Sequence, residues 1–275
     1  MLYVDSLLVQ NVAHERLGNF EATVHTLDMA LIMAGGEGRY KLIKQILDRL
    51  EHTLPPNHLD VPETFPITSP AVVLKYAIPR VKAPSLESFQ RHMNEQHTPL
   101  IITNAISHWK ALKAWTFPAY FLRRTLNGSR LVPIELGESY VADSWTQKLL
   151  PFSSFMKDHL IKESIPPGYL AQHDLLKQIP SLRNDISTSD YCFTIPPEHS
   201  PDEPKVPYIE TSDVMLNIWM GPKGTRSPLH NDPYENIFAQ VVGYKYFRVF
   251  PPCMTENVYP RGVEGGIEMG NTSQV

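Results

Sequence analysis

The sequence predicts an α+β chain, with a helical module leading into an antiparallel, barrel-like or sandwich sheet. Three observations carry this expectation. Apolar residues recur at helical spacing from Leu2 to about Leu54; a proline-rich stretch follows; and the remainder holds short β-like runs separated by turn residues. The strands do not alternate regularly with helices, which argues against a doubly wound parallel sheet.

The helical module, residues 1–54, falls into three pieces. Phe20, Val24, Leu27 and Leu31 form one stripe, Gly35-Gly36 stops that helix, and Leu42, Ile43, Ile46, Leu47 and Leu50 form the next. Gly18-Asn19-Phe20-Glu21-Ala22 with Leu27-Asp28-Met29-Ala30 has the look of one helical-repeat hairpin, so the module is expected to pack internally or to bind a protein partner. Pro55, Pro56, Pro62, Pro66 and Pro70 mark residues 55–80 as an extended linker. Beyond it, Ser85 is a candidate N-cap for a helix through Phe89 and Met93. Leu100-Ile101-Ile102 reads as a short buried strand, and Trp109 to Leu126 returns to helical spacing. Arg130 to Leu136, Gly168 to Gln172, Val214 to Met220, Ser227 to Val242 and Tyr244 to Phe250 read as strands, with Gly221-Pro222 and Gly243 at turns.

Composition bounds the function. A net charge of −4 with interspersed signs gives no electrostatic footprint for nucleic acid or an anionic membrane. The two cysteines, Cys192 and Cys253, cannot build a disulfide framework and neither lies in a metal-spaced pair, which suits a reducing compartment. The amino terminus lacks a basic n-region and no apolar run reaches membrane-span length, so cytosol or nucleus is expected.

His230 and Asp232 stand two apart in an extended run, so both side chains leave one face. An imidazole and a carboxylate presented together are two thirds of the two-His-one-carboxylate arrangement that holds Fe(II). A second H-x-D, His58-Leu59-Asp60, lies among prolines with no strand pattern and carries little weight. An H-x-D alone also suits a cupin-like metal protein such as an isomerase.

The surroundings narrow the choice. Val132-Pro133-Ile134-Glu135-Leu136-Gly137, Gly168-Tyr169-Leu170-Ala171-Gln172-His173, Gln178-Ile179-Pro180, Asn217 to Pro222 and Ser227 to Pro233 follow one another in an order that resembles the JmjC-domain branch of the 2-oxoglutarate and Fe(II)-dependent oxygenases. Within that branch the chain is most similar to the jumonji-domain-containing protein 5 group, implicated in protein arginyl hydroxylation and earlier described as histone lysine demethylases. The resemblance covers residues 81–275 and implies a double-stranded β-helix, a jelly-roll or cupin-like barrel holding Fe(II) and 2-oxoglutarate. His230 and Asp232 match the first two iron ligands. Lys245 matches the cation that meets the distal carboxylate of 2-oxoglutarate, and Tyr169, Ser227 and Asn236 match hydrogen-bonding positions for the same molecule. Glu135, Tyr140 and Trp219 match positions around the substrate side chain; a carboxylate with aromatic faces suits a guanidinium and also accommodates a methyl-lysine. Taken singly, these residues read equally as a solvated lysine, a turn serine, a strand-end asparagine and core aromatics. The chemistry implied is 2-oxoglutarate-coupled hydroxylation of a protein C–H bond, with release of carbon dioxide and succinate.

The family's second histidine comes from a later strand, and no histidine follows His230 here. Asn271-Thr272-Ser273-Gln274-Val275 resembles an internal family phrase, so the expectation is a barrel lacking its C-terminal strands, which binds Fe(II) weakly and tends to aggregate. A non-catalytic binding module that recruits partners through its helices is the alternative.

Overall fold

The computed structural model describes residues 2–35, 38–53, 60–96, 98–142, 144–195, 214–232, 234–264, 267–268 and 271–274. In chain order the elements are α1 (Leu2–Arg16), α2 (Phe20–Ala34), α3 (Tyr40–Thr53), β1 (Arg80–Lys82), α4 (Leu86–Gln96), β2 (Ile101–Thr103), α5 (Ala111–Ala114) and α6 (Pro118–Arg124). They continue with β3 (Leu131–Leu136), β4 (Thr146–Pro151), α7 (Phe152–Phe155) running into π-helical turns over Met156–Ile161, β5 (Gly168–His173), α8 (Leu175–Gln178), α9 (Pro180–Arg183), β6 (Ile218–Met220), β7 (Val263–Glu264) and β8 (Ile267–Glu268). Helices with antiparallel strands make this an α+β chain. Among the described residues no helix is long and apolar enough to cross a membrane.

The chain divides into two compact units. The first comprises Met1–Pro66, Lys113–Asp185 and Leu216–Arg226; the second comprises Ile67–Leu112, Ile186–Met215 and Ser227–Val275.

In the first unit, Asn19 caps α2 by accepting the Ala22 N–H at 3.1 Å, and Gly35 ends it in the left-handed conformation at φ 60, where a side chain would be strained. The partner residue in the predicted stop, Gly36, lies outside the described residues. Of the stripes predicted for α2 and α3, Val24, Leu27, Ile43, Leu47 and Leu50 are buried and pack with Val4 and Leu7 of α1, Phe20, Leu31 and Ile46 pack partly buried against them, and Leu42 is exposed; Leu126 joins the cluster from beyond α6. A second apolar centre is aromatic. Phe121 stacks on Phe152 with centroids 5.7 Å apart, and Phe65, Trp115 and Phe155 meet this pair edge-on or tilted. Pro118 divides the helical run from Trp109 to Leu126, because it lacks an N–H and sits at the first turn of α6.

The sheet of this unit has the order β4-β3-β5-β6, all antiparallel. Val132, Ile134, Leu170 and Ile218 make its buried face. Glu135 is the register partner of Tyr169, so these two share the other face. Pairing of Leu170 with Met220 places Trp219 on that same face.

In the second unit β1 and β2 pair in parallel, Arg80 opposite Ile101. The predicted cap holds: Ser85 Oγ accepts the Ser88 N–H at 3.1 Å, and α4 buries Phe89 against Tyr191, centroids 4.9 Å apart. Gln90 is joined to Ile195 through both its amide N–H and its amide oxygen.

The predicted strands over Ser227–Val242 and Tyr244–Phe250 are corrected by the structure, and that over Val214–Met220 is reduced to β6. Among the described residues, 231–250 belong to no strand, and His230 makes only an isolated bridge. Alternating apolar character suits a strand, but a strand also needs a neighbour with which to exchange N–H and C=O bonds, and among the described residues such bonds reach this run only at Leu229–Asn231. Residues 60–79 carry no helix or strand. His58 and Leu59, together with Pro55 and Pro56, lie outside the described residues.

Candidate metal centre

His230 is held by its backbone. It bridges antiparallel to Thr272; Ser273 N–H donates to Leu229 O at 2.8 Å and Asn231 N–H to Asn271 O at 3.1 Å. On its other side the 271–274 segment meets 259–261, with Arg261 N–H donating to Thr272 O at 3.1 Å and Gln274 N–H to Tyr259 O at 2.8 Å. Thr272 and Ser273, buried between the two neighbours, form the middle of a three-segment patch. Spacing along the sequence gave no sign of this support for His230, because isolated bridges carry no periodic pattern.

The side-chain geometry follows from donor and acceptor rules. His230 Nδ1 lies 2.7 Å from Pro228 O, and a carbonyl only accepts, so Nδ1 carries the hydrogen. Nε2 faces Asp232 Oδ1 at 3.8 Å, while Asp232 Oδ2 accepts an Asn236 amide N–H at 2.8 Å. In the neutral imidazole two electron-rich atoms thus confront one another, an arrangement that a cation or a proton between them stabilises. Adjacent ligands each about 2.1 Å from one metal ion stand about 3 Å apart, so a small closure lets both atoms reach one ion. The outer hydrogen bonds, from His230 to a carbonyl and from Asn236 to the carboxylate, are of the kind that orient metal ligands. The residues present fit a divalent metal as two of its ligands. Among the described residues no group of three His, Cys, Asp or Glu side chains is gathered for one ion.

The other predicted residues fall into two sets. Ser227, Asn236 and Lys245 belong with His230 and Asp232 to the second unit. Asn236 commits its amide N–H to Asp232, and Ser227 is exposed. Lys245 Nζ lies 5.0 Å from the centroid of the Phe238 ring and 5.3 Å from that of Phe247. These rings, themselves 5.0 Å apart, displace water from the ammonium and lower its pKa below the ordinary lysine value.

Glu135, Tyr140, Tyr169 and Trp219 belong to the first unit. Tyr169 is half-buried and its ring rests on Gly221, where a β-carbon would come within 2.5 Å of Cδ2. Tyr140 sits in the loop joining β3 to β4, where Gly137 takes φ 138 beneath Trp145. His173, in the Tyr169 strand, is engaged with Gln178 Oε1 at 2.7 Å. Cys192 and Cys253 are free thiols.

The cupin-like domain family matches residues 86–275. The chain is 37% identical over 233 residues to lysine-specific demethylase 8 of Xenopus tropicalis, covering 84% of this chain and 48% of that protein. It is 36% identical over 261 residues to Jumonji C domain-containing protein 5 of Drosophila melanogaster, with coverages of 93% and 61%. To lysine-specific demethylase JMJ30 of Arabidopsis thaliana it is 41% identical over 178 residues, with coverages of 64% and 38%. The chain belongs to the cupin-like domain family and, within it, to the JmjC-domain proteins of the jumonji-domain-containing protein 5 group. It spans about half the length of these curated relatives.

Proposed function

We propose that this chain carries part of the machinery of a 2-oxoglutarate and Fe(II)-dependent oxygenase that modifies protein side chains. The observation that carries the reading is the His230–Asp232 pair, facing at 3.8 Å with each outer edge held by a separate hydrogen bond, in a chain of the JmjC group. His230 Nε2 and Asp232 Oδ1 are the atoms assigned to the metal. Lys245 is assigned to the distal carboxylate of 2-oxoglutarate, where aromatic flanks sharpen a charge–charge contact by excluding water. Tyr169, Ser227 and Asn236 are assigned hydrogen bonds that fix the cosubstrate's orientation. When bound, the metal with 2-oxoglutarate supplies the oxidation of a C–H bond, and the protein's part is binding, orientation and exclusion of water.

Glu135, Tyr140 and Trp219 are assigned to the substrate. Glu135 stands beside Tyr169 across β3 and β5, and Trp219 shares their sheet face, so a carboxylate and an indole are offered to a cationic side chain. Arginine is the preferred target, because a guanidinium presents a fork of donors to Glu135, and methyl-lysine is the alternative. Such a protein acts in the nucleus or cytoplasm.

A second reading, a binding module without turnover, is favoured by the gathering of only two metal-binding side chains among the described residues. Titration of the chain with Mn(II), then with 2-oxoglutarate, tests both. Weak metal binding that is abolished by His230→Ala and Asp232→Ala, with 2-oxoglutarate binding that depends on Lys245, is expected. Metal uptake unaffected by either substitution overturns the assignment. With Fe(II) in place of Mn(II) and oxygen supplied, succinate formation together with one added oxygen on an arginine peptide supports the enzyme reading, whereas ligand binding without succinate under those conditions supports the module.

A further inference from the structure

Asp28 of α2 is a fully buried carboxylate in the helical module, and nothing in the proposed chemistry uses it. A charge removed from water needs compensating donors, and the first unit supplies them from three places. Arg130 Nε lies 2.9 Å from both carboxylate oxygens and its Nη2 2.7 Å from Oδ1; Leu131 N–H donates to Oδ2 at 2.7 Å. Gln178 Nε2 donates to Oδ1 at 2.9 Å and to Leu131 O at 2.7 Å.

These bonds have a direction. Both Gln178 amide hydrogens are taken by acceptors, so the amide oxygen is turned the other way, toward His173 Nε2 at 2.7 Å. An amide oxygen only accepts, so His173 donates from Nε2. His173 ends β5 and pairs with Ile218 of β6, while Tyr169 on the same strand pairs with Glu135. One polar relay therefore runs from α2 to the start of β3 and the end of β5.

We propose that Asp28 is a positioning residue for the sheet face bearing Glu135 and Tyr169, acting through Gln178 and His173. For its effect on ligand binding this rests on the reading of Tyr169 as a cosubstrate residue; the relay itself does not. Apolar replacement of a buried ion pair often preserves stability, so what Asp28 adds is fixed direction and register. The inner face of α2 is thereby part of the sheet's support, whatever its outer face binds.

The test uses the whole 275-residue chain and the ¹⁵N signals of His173, which distinguish an Nε2–H from an Nδ1–H imidazole. Asp28→Asn removes the charge that orients Gln178 and is expected to shift His173 away from the Nε2–H form and to weaken 2-oxoglutarate binding, with Mn(II) present, several-fold. Ile43→Val, which loosens the same helical core without touching the relay, is expected to leave both unchanged. If Asp28→Asn does not fold, Asp28→Glu takes its place, since the longer side chain cannot keep both Gln178 and Leu131 in register. Unchanged His173 signals in the Asp28 variant, or an equal shift in Ile43→Val, overturns the proposal. If the unsubstituted chain binds no 2-oxoglutarate, the cosubstrate reading falls while the His173 signals still decide the relay.

Discussion

At the scale of single residues, small groups decide where the larger functional ones sit. The Pro228 carbonyl fixes the hydrogen on His230 and so directs the lone pair of Nε2 at Asp232. Gly221 does the equivalent for Tyr169 by lacking a β-carbon. In Gly221→Ala the new carbon meets Tyr169 Cδ2 at 2.5 Å and Thr225 Cγ2 at 3.0 Å, so the ring must leave its seat. Such overpacking costs about 1–3 kcal/mol. Urea denaturation is expected to show that loss in Gly221→Ala and to show a much smaller further loss when the same change is made in a Tyr169→Ala background, where the clash with the ring is gone and only the milder approach to Thr225 Cγ2 remains. Equal losses in the two backgrounds contradict this account of the tyrosine's position.

At the scale of elements, the stop at Gly35, the cap at Ser85 and the strands β3 and β5 were legible in the sequence, because each depends on residues close by in the chain. The run from Ser227 to Phe250 was misread, because alternation describes a side chain's surroundings and not the presence of a pairing neighbour. His230 and Asp232 were visible as a spaced pair; their support by Thr272 and Ser273 was not, since it joins segments some forty residues apart. The π-helical turns over Met156–Ile161 also had no signal. They place His159 against Gly168, where a β-carbon would lie 2.5 Å from the imidazole Cγ, and its Nδ1 is buried with no hydrogen-bond partner among the described residues. Burial lowers the His159 pKa below 6.5, and the neighbouring Asp158 offsets this only in part. Between the lowered folded value and 6.5 the unfolded chain binds more protons, so stability is complete above 6.5 and declines as pH falls below it. Urea midpoints are expected to drop from pH 7.5 to about pH 5.5, and less steeply in His159→Asn. A variant with the full pH dependence assigns the effect to another group.

At the scale of the whole molecule, apolar surface is distributed unevenly. The first unit buries its aromatic and helical centres, whereas Tyr244, Tyr246, Val249 and Phe250 of the second are between 45% and 63% exposed along one run. Exposed apolar side chains on a run that, among the described residues, pairs with no strand offer a surface for contact with a second chain, and exposure of this kind is ordinarily avoided or covered. Lys245 and Arg248 interrupt the run, yet Lys245 lies over the rings of Phe238 and Phe247 and Arg248 over that of Tyr246, which lessens their power to repel a like segment. The chain is therefore expected to self-associate as its concentration rises. Sedimentation velocity should show species larger than the monomer, and Val249→Lys, which adds a charge to the exposed run, should shift the distribution toward monomer without changing the helical circular dichroism. A concentration-independent monomer, or association that Val249→Lys leaves untouched, would show that this run is not what drives contact between copies.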